Sequence, residues 1–98
     1  MTDKLEVLNV GQPGKTYRVD RAKYDEMRQV MLAILPTAAP GIPVAEVNEL
    51  VRPRLSDVLF PSGETCGWWV KCVHLDLEAK GVIARTKSPV RLWRRSAN

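Results

Sequence analysis

Five cationic side chains, Arg85, Lys87, Arg91, Arg94 and Arg95, fall within eleven residues, with Trp93 among them. Guanidinium and ammonium groups in such density neutralise phosphates, and an indole between them can stack on a base or wedge beside one. Residues 80–98 hold six of the 15 Lys and Arg residues and no acid. Residues 1–79 hold the other nine bases and all 11 acids, a net charge of −2, so the whole +4 of the chain comes from its C-terminal segment. The plainer reading is a solvated edge hairpin whose charges prevent edge-to-edge pairing. The complete lack of acids favours phosphate contact.

Other candidate chemistry fails on spacing. Gly11-Gln12-Pro13-Gly14-Lys15-Thr16 ends like a phosphate loop, but the first glycine of that motif would fall on Asn9. The residues after it read as a strand, where a phosphate loop needs a helix N-terminus. Cys66, Cys72, His74 and Asp76 share one helical pattern, with Cys72 and His74 about 200° apart around the axis. Structural zinc prefers short Cys-x₂₋₄-Cys knuckles, so no metal is expected. The one histidine has no cysteine beside it on a helical face, and His74 and Glu78, four apart, suit a surface pair. Acids such as Asp25, Glu26, Asp76 and Glu78 lie near bases on helices and read as solvated faces. No catalytic residue, no cofactor and no enzymatic activity are expected.

The elements that must position the basic segment follow from length and pattern. Ninety-eight residues, 45% hydrophobic and 27% charged, suit one soluble globular domain. No apolar run approaches the roughly 18–20 residues of a membrane span. Met1-Thr2-Asp3-Lys4 does not begin a signal peptide, and a cytoplasmic location is expected. Cys66 and Cys72 are about 9 Å apart along a helix, beyond disulfide reach, and are expected as free thiols.

Leu5–Val10 and Thr16–Val19 read as strands around a turn with Pro13 and Gly14 at positions i+1 and i+2 of type II. Asp20 is placed as N-cap of a first helix over 21–35, with Tyr24, Met27, Met31 and Ile34 on one stripe and Pro36 as its stop. Residues 36–43 read as a connection. A second helix starts near Pro43 and carries Val44, Val47, Leu50 and Val51 inward until Pro53 breaks it. A short amphipathic turn holds Leu55, Val58, Leu59 and Phe60. A third helix spans 64–80, with Ser62 or Thr65 as its cap and Gly81 ending it. Strands over 82–87 and 90–95 surround Ser88-Pro89, and 96–98 form a tail.

The third helix has a core face of Cys66, Trp69, Val70, Val73 and Leu77. Its opposite face carries Trp68, Lys71, Cys72, Leu75 and Ala79, too apolar for water. Either the N-terminal hairpin covers that face, or a protein partner or second copy does. In the second case Trp68, Cys72 and Leu75 are the interface residues.

The stretch Leu75-Asp76-Leu77-Glu78-Ala79-Lys80-Gly81-Val82-Ile83-Ala84-Arg85 resembles the end of the recognition helix and start of the wing in winged helix-turn-helix regulators. The resemblance covers roughly residues 21–95, and the whole chain is similar to a group of small bacterial proteins without assigned function. With the hairpin read from the residues before it, the expected fold is α+β and winged-helix-like: an N-terminal β-hairpin over 1–19, then, as the resemblance implies, a three-helix core over 20–81 and a C-terminal β-hairpin wing over 82–95. The resemblance also implies DNA contact, with the third helix in the major groove and the wing on the backbone. The outward face of that helix lacks the Arg, Asn, Gln and Ser that read base edges. The expected function is therefore DNA binding, of a regulator-like kind, mainly through phosphates. Lys71, Arg85, Lys87, Arg91, Arg94 and Arg95 would supply the contacts, with Trp93 beside them. The rival expectation is a module without DNA function that associates with proteins or itself through Trp68, Cys72 and Leu75.

Overall fold

A computed structural model describes residues 4–87 and 89–95. The chain opens with β1 (Lys4–Leu8) and β2 (Thr16–Asp20), an antiparallel hairpin in which Val7 faces Tyr17 and Leu5 faces Val19. The reversal is the type II turn that Pro13-Gly14 suggests. The Lys15 amide donates to the Gln12 carbonyl at 3.1 Å, and Gly14 takes φ +88°, where a side chain would be strained.

α1 (Arg21–Ile34) begins at once, because Asp20 turns its carboxylate onto the Ala22 and Lys23 amides at 2.9 and 3.3 Å. Tyr24, Met27 and Met31 are buried at helical spacing. Leu35 leaves the helix with ψ 137°, as the residue before Pro36 must. The connection that follows is not irregular throughout. Ile42–Pro43 form β3, a two-residue strand absent from the sequence reading, paired antiparallel to the last strand. α2 (Val44–Val51) buries Val47 and Val51 but leaves Leu50 40% exposed, so its inward stripe is narrower than expected.

Between α2 and the next helix lie two short 3-10 turns, Arg52–Arg54 and Pro61–Gly63. The amphipathic turn expected here splits, with Phe60 entering the core and Val58 standing 88% exposed. α3 (Cys66–Ala79) starts two residues later than its pattern suggests. Neither Ser62 nor Thr65 caps it through a side chain. Thr65 occupies the N-cap in a left-handed conformation, φ 59°, and its hydroxyl donates to the Glu64 carbonyl instead. The C-terminus matches expectation. Gly81 takes φ +79°, its amide donates to the Glu78 carbonyl, and the Val82 amide donates to that of Leu77 at 2.9 Å.

β4 (Ile83–Arg85) and β5 (Arg91–Arg94) then pair antiparallel, both shorter than the runs read from sequence. Ser88, within the turn expected between them, and the tail over 96–98 lie outside the described residues. The order of this second sheet is β3-β5-β4. The fold is α+β, with three helices and two small antiparallel sheets. One core joins Met27 and Met31 of α1, Val47 and Val51 of α2, Val70, Val73 and Leu77 of α3, and Ile83 and Leu92 of the sheet. Among the described residues no helix is long and apolar enough to cross a membrane.

Candidate functional site

The basic C-terminal strands are placed by their pairing register. Ile83 faces Arg94, Ala84 faces Trp93 and Arg85 faces Leu92, and directly opposed residues share a sheet face. Arg85 and Arg94 therefore lie on the side of buried Ile83 and Leu92, at the margin of the core. Arg91, Trp93 and Arg95 alternate onto the other side. The bases thus divide between two faces.

Each side has its own chemistry. The Arg85 guanidinium donates to Glu78 Oε2 at 3.1 Å, and Glu78 Oε1 lies 2.8 Å from His74 Nε2. Arg94 donates through Nη1 to the Leu32 carbonyl near the end of α1, at 3.3 Å. Lys87, Arg91 and Arg95 have no ion-pair partner among the described residues. Lys87 and Arg95 are exposed, Arg91 and Trp93 partly so. Thr86 braces the turn. Its hydroxyl donates to the Pro89 carbonyl at 2.6 Å and accepts from the Arg91 amide at 2.9 Å.

His74, expected in a surface pair with Glu78, and Asp76, expected on a solvated face, are both buried. Burial pulls the His74 imidazole below its ordinary pKa of 6.5, with the Glu78 hydrogen bond opposing. Asp76 is fully inaccessible and joins three elements. Its Oδ1 accepts the Leu8 amide of β1 at 2.8 Å, and its Oδ2 accepts the Tyr24 hydroxyl and the Lys80 ammonium, the latter at 2.9 Å. The Lys80 ammonium also stands 5.9 Å over the Tyr24 ring. Nothing local signals this role, since an acid on a helix beside bases is usually solvated. Among the described residues every buried side-chain nitrogen and oxygen has a partner.

Asp76, together with Val7 and Val19 packed into the core, fastens the hairpin against α3, and this decides the fate of the helix's second apolar face. The hairpin covers it in part. Cys72 and Leu75 are half-buried, whereas Trp68 keeps 58% of its surface exposed. Between α3 and the hairpin runs a groove of about 370 Å³, walled by Trp68, Lys71, Cys72 and Leu75 on one side and by residues of β1 and β2 on the other. Lys71 thus belongs with Trp68 on this groove. It precedes Glu78, the partner of Arg85, by seven residues, or about 10 Å of helix. Trp68 meets Trp69 edge-on at 5.0 Å, and Trp69 meets buried Phe60 at 6.3 Å.

Both cysteines are free thiols. Burial, with help from the Asp76 charge, pushes Cys72 up to about 11. Burial likewise raises Cys66, against the nearby Arg52 guanidinium. Neither is primed as a nucleophile. Among the described residues no group of three His, Cys, Asp or Glu side chains could hold a metal ion.

A family model described as a family of unknown function (DUF6958) matches residues 4–92. No curated protein and no solved structure matches the chain.

Proposed function

The chain belongs to this family of unknown function, so its role has to be sought on its own surfaces, and we propose that it is a non-enzymatic, winged-helix-like module that holds a DNA phosphate backbone, in a cytoplasmic setting that suits its free thiols. The winged-helix reading is supported by the order of α1, β3, α2, α3, β4 and β5, by the β3-β5-β4 sheet and by the turn at Gly81 that feeds the wing. The observation that carries the DNA reading is the set Lys87, Arg91 and Arg95, three cations near the wing with no acid among the described residues to neutralise them. Binding is to the backbone rather than to base edges. The exposed positions of α3 are Gly67, Trp68, Lys71 and Ala79, and Lys71 alone among them carries a charged side-chain donor. Arg85 and Arg94 support the wing from its inner face. The test is titration of duplex DNA at low and moderate salt against the Arg91→Glu, Arg95→Glu double variant. Loss of binding in a folded variant is expected. Equal affinity of variant and parent would overturn the reading.

A second reading, association with a protein or a second copy through Trp68, Cys72 and Leu75, is favoured by the exposure of Trp68. Sedimentation of the parent chain and of Trp68→Ala separates it from the first, since only association makes mass depend on that residue.

A further inference from the structure

We propose that the groove between α3 and the N-terminal hairpin is a binding site for a small amphipathic monoanion, an aromatic or medium-chain carboxylate. The inference goes beyond the phosphate reading of the wing and does not depend on it. Three observations lead to it.

The first is concentration of apolar surface. Leu8, Tyr17 and Trp68 are three of the five exposed large hydrophobic side chains among the described residues, and all three line this groove. The second is size. At about 370 Å³ it lies at the lower end of the volumes that small-molecule sites occupy, and such sites are walled by apolar and aromatic groups with few polar ones. The hairpin makes it a groove rather than a flat face, because Asp76 binds the Leu8 amide and so holds β1 against α3.

The third is charge. Lys71 rises from the same helical stripe as Trp68, Cys72 and Leu75, and no acid among the described residues pairs with it. Arg18 also lines the groove, opposite Glu6 in the hairpin register, and no acid among the described residues forms an ion pair with it either. Lys71 on the helix wall and Arg18 on the hairpin wall place positive charge beside an apolar trough, which suits a carboxylate on an apolar body. The Trp68 ring supplies a face for an aromatic ligand, and Leu75 and Cys72 supply the floor along the helix. The ligand binds as such; no bond is made or broken.

The experiment uses the full chain with 4-phenylbutyrate and octanoate as probes and 4-phenylbutyramide as the uncharged control. Binding is followed by amide chemical shifts in two-dimensional NMR and by calorimetry. The expected result is saturable binding of both carboxylates, with shifts confined to residues of α3 and the hairpin that border the groove. The amide should bind about tenfold more weakly, and Lys71→Gln should narrow that preference, chiefly by weakening the two carboxylates. Leu75→Ser should weaken all three probes, with its far-ultraviolet dichroism checked against the parent. No saturable shift up to about 10 mM of any probe overturns the proposal, because a groove that weak is no site. Equal binding of carboxylate and amide overturns the anion assignment. A dimer in which the Trp68 environment is buried without any probe assigns the face to a second copy instead.

Discussion

The Tyr24 hydroxyl of α1 donates to Asp76 Oδ2 of α3, across 52 residues of chain, at a carboxylate with no exposed surface. Burial and that hydrogen bond push the phenol well above its ordinary pKa, so it remains a donor at every working pH. Tyr24→Phe should cost about 1–3 kcal/mol, since it removes one partner of a buried charged group. Asp76→Ala should cost more, because the Leu8 amide and Tyr24 hydroxyl lose their acceptor together. Chemical denaturation of both variants measures this, and a Tyr24→Phe midpoint equal to the parent's would contradict the linkage.

His74 makes stability depend on pH. Its folded pKa lies below the unfolded value of about 6.5, so the unfolded chain takes up the proton first. Stability from this group is whole above about pH 6.5 and falls as pH drops toward the lowered folded value. Thermal unfolding between pH 7.5 and 5, in roughly half-unit steps, should show that decline, and His74→Gln should flatten it. An unchanged slope in the variant would remove His74 as the cause.

Gly41 tolerates no side chain. It takes φ +78°, and a Cβ built there would lie 2.0 Å from the Leu92 carbonyl oxygen of β5. Gly41→Ala should cost about 2 kcal/mol or more, through both the left-handed backbone and the collision that parts β3 from β5. Gly14→Ala, also at positive φ but with open space around it, should cost less. Similar losses at the two positions, measured by urea unfolding, would argue against a β3–β5 contact this close.

Thiol labelling reports on the packing of α3. With Cys72 at about 11 against an ordinary value of 9.0, its thiolate fraction at a given pH near neutrality is about a hundredfold below that of a free cysteine. An aromatic disulfide reagent at neutral pH should label the folded chain slowly and the urea-unfolded chain at once. Rapid labelling of Cys72 in the native chain would show that the hairpin does not shelter it.

On the proposed DNA reading of the β4–β5 hairpin, the logarithm of the binding constant should fall with the logarithm of salt concentration by roughly 0.9 per phosphate held, hence about 2.7 for Lys87, Arg91 and Arg95. Each charge removed singly should lower the slope by about one. A slope near zero would leave no role for phosphate contacts.

The legible parts of the fold were those set by local pattern. The stripe of Cys66, Trp69, Val70, Val73 and Leu77 repeats with the helical period, and every one of these residues is buried. Asp20 as cap, the Pro13-Gly14 turn and the Gly81 stop depend on the residue and its immediate neighbours. What was not legible depends on distant chain. β3 is two residues long, and only contact with β5 makes it a strand. Asp76 is buried because Leu8, Tyr24 and Lys80 come to it from other segments or turns. The second face of α3 could be read as apolar, but the half-covered groove could not, because its depth depends on how the hairpin is fastened.

The β3-β5-β4 order has a consequence during synthesis. β5 is the middle strand, yet it is translated after both of its neighbours, so the ribosome delivers β3 and β4 with no strand between them. All three helices precede β4 in the chain, and the core they share with Ile83 and Leu92 stays open at that end until residues 91–94 are added. The core is therefore closed last at β5, the strand that joins β3 to β4.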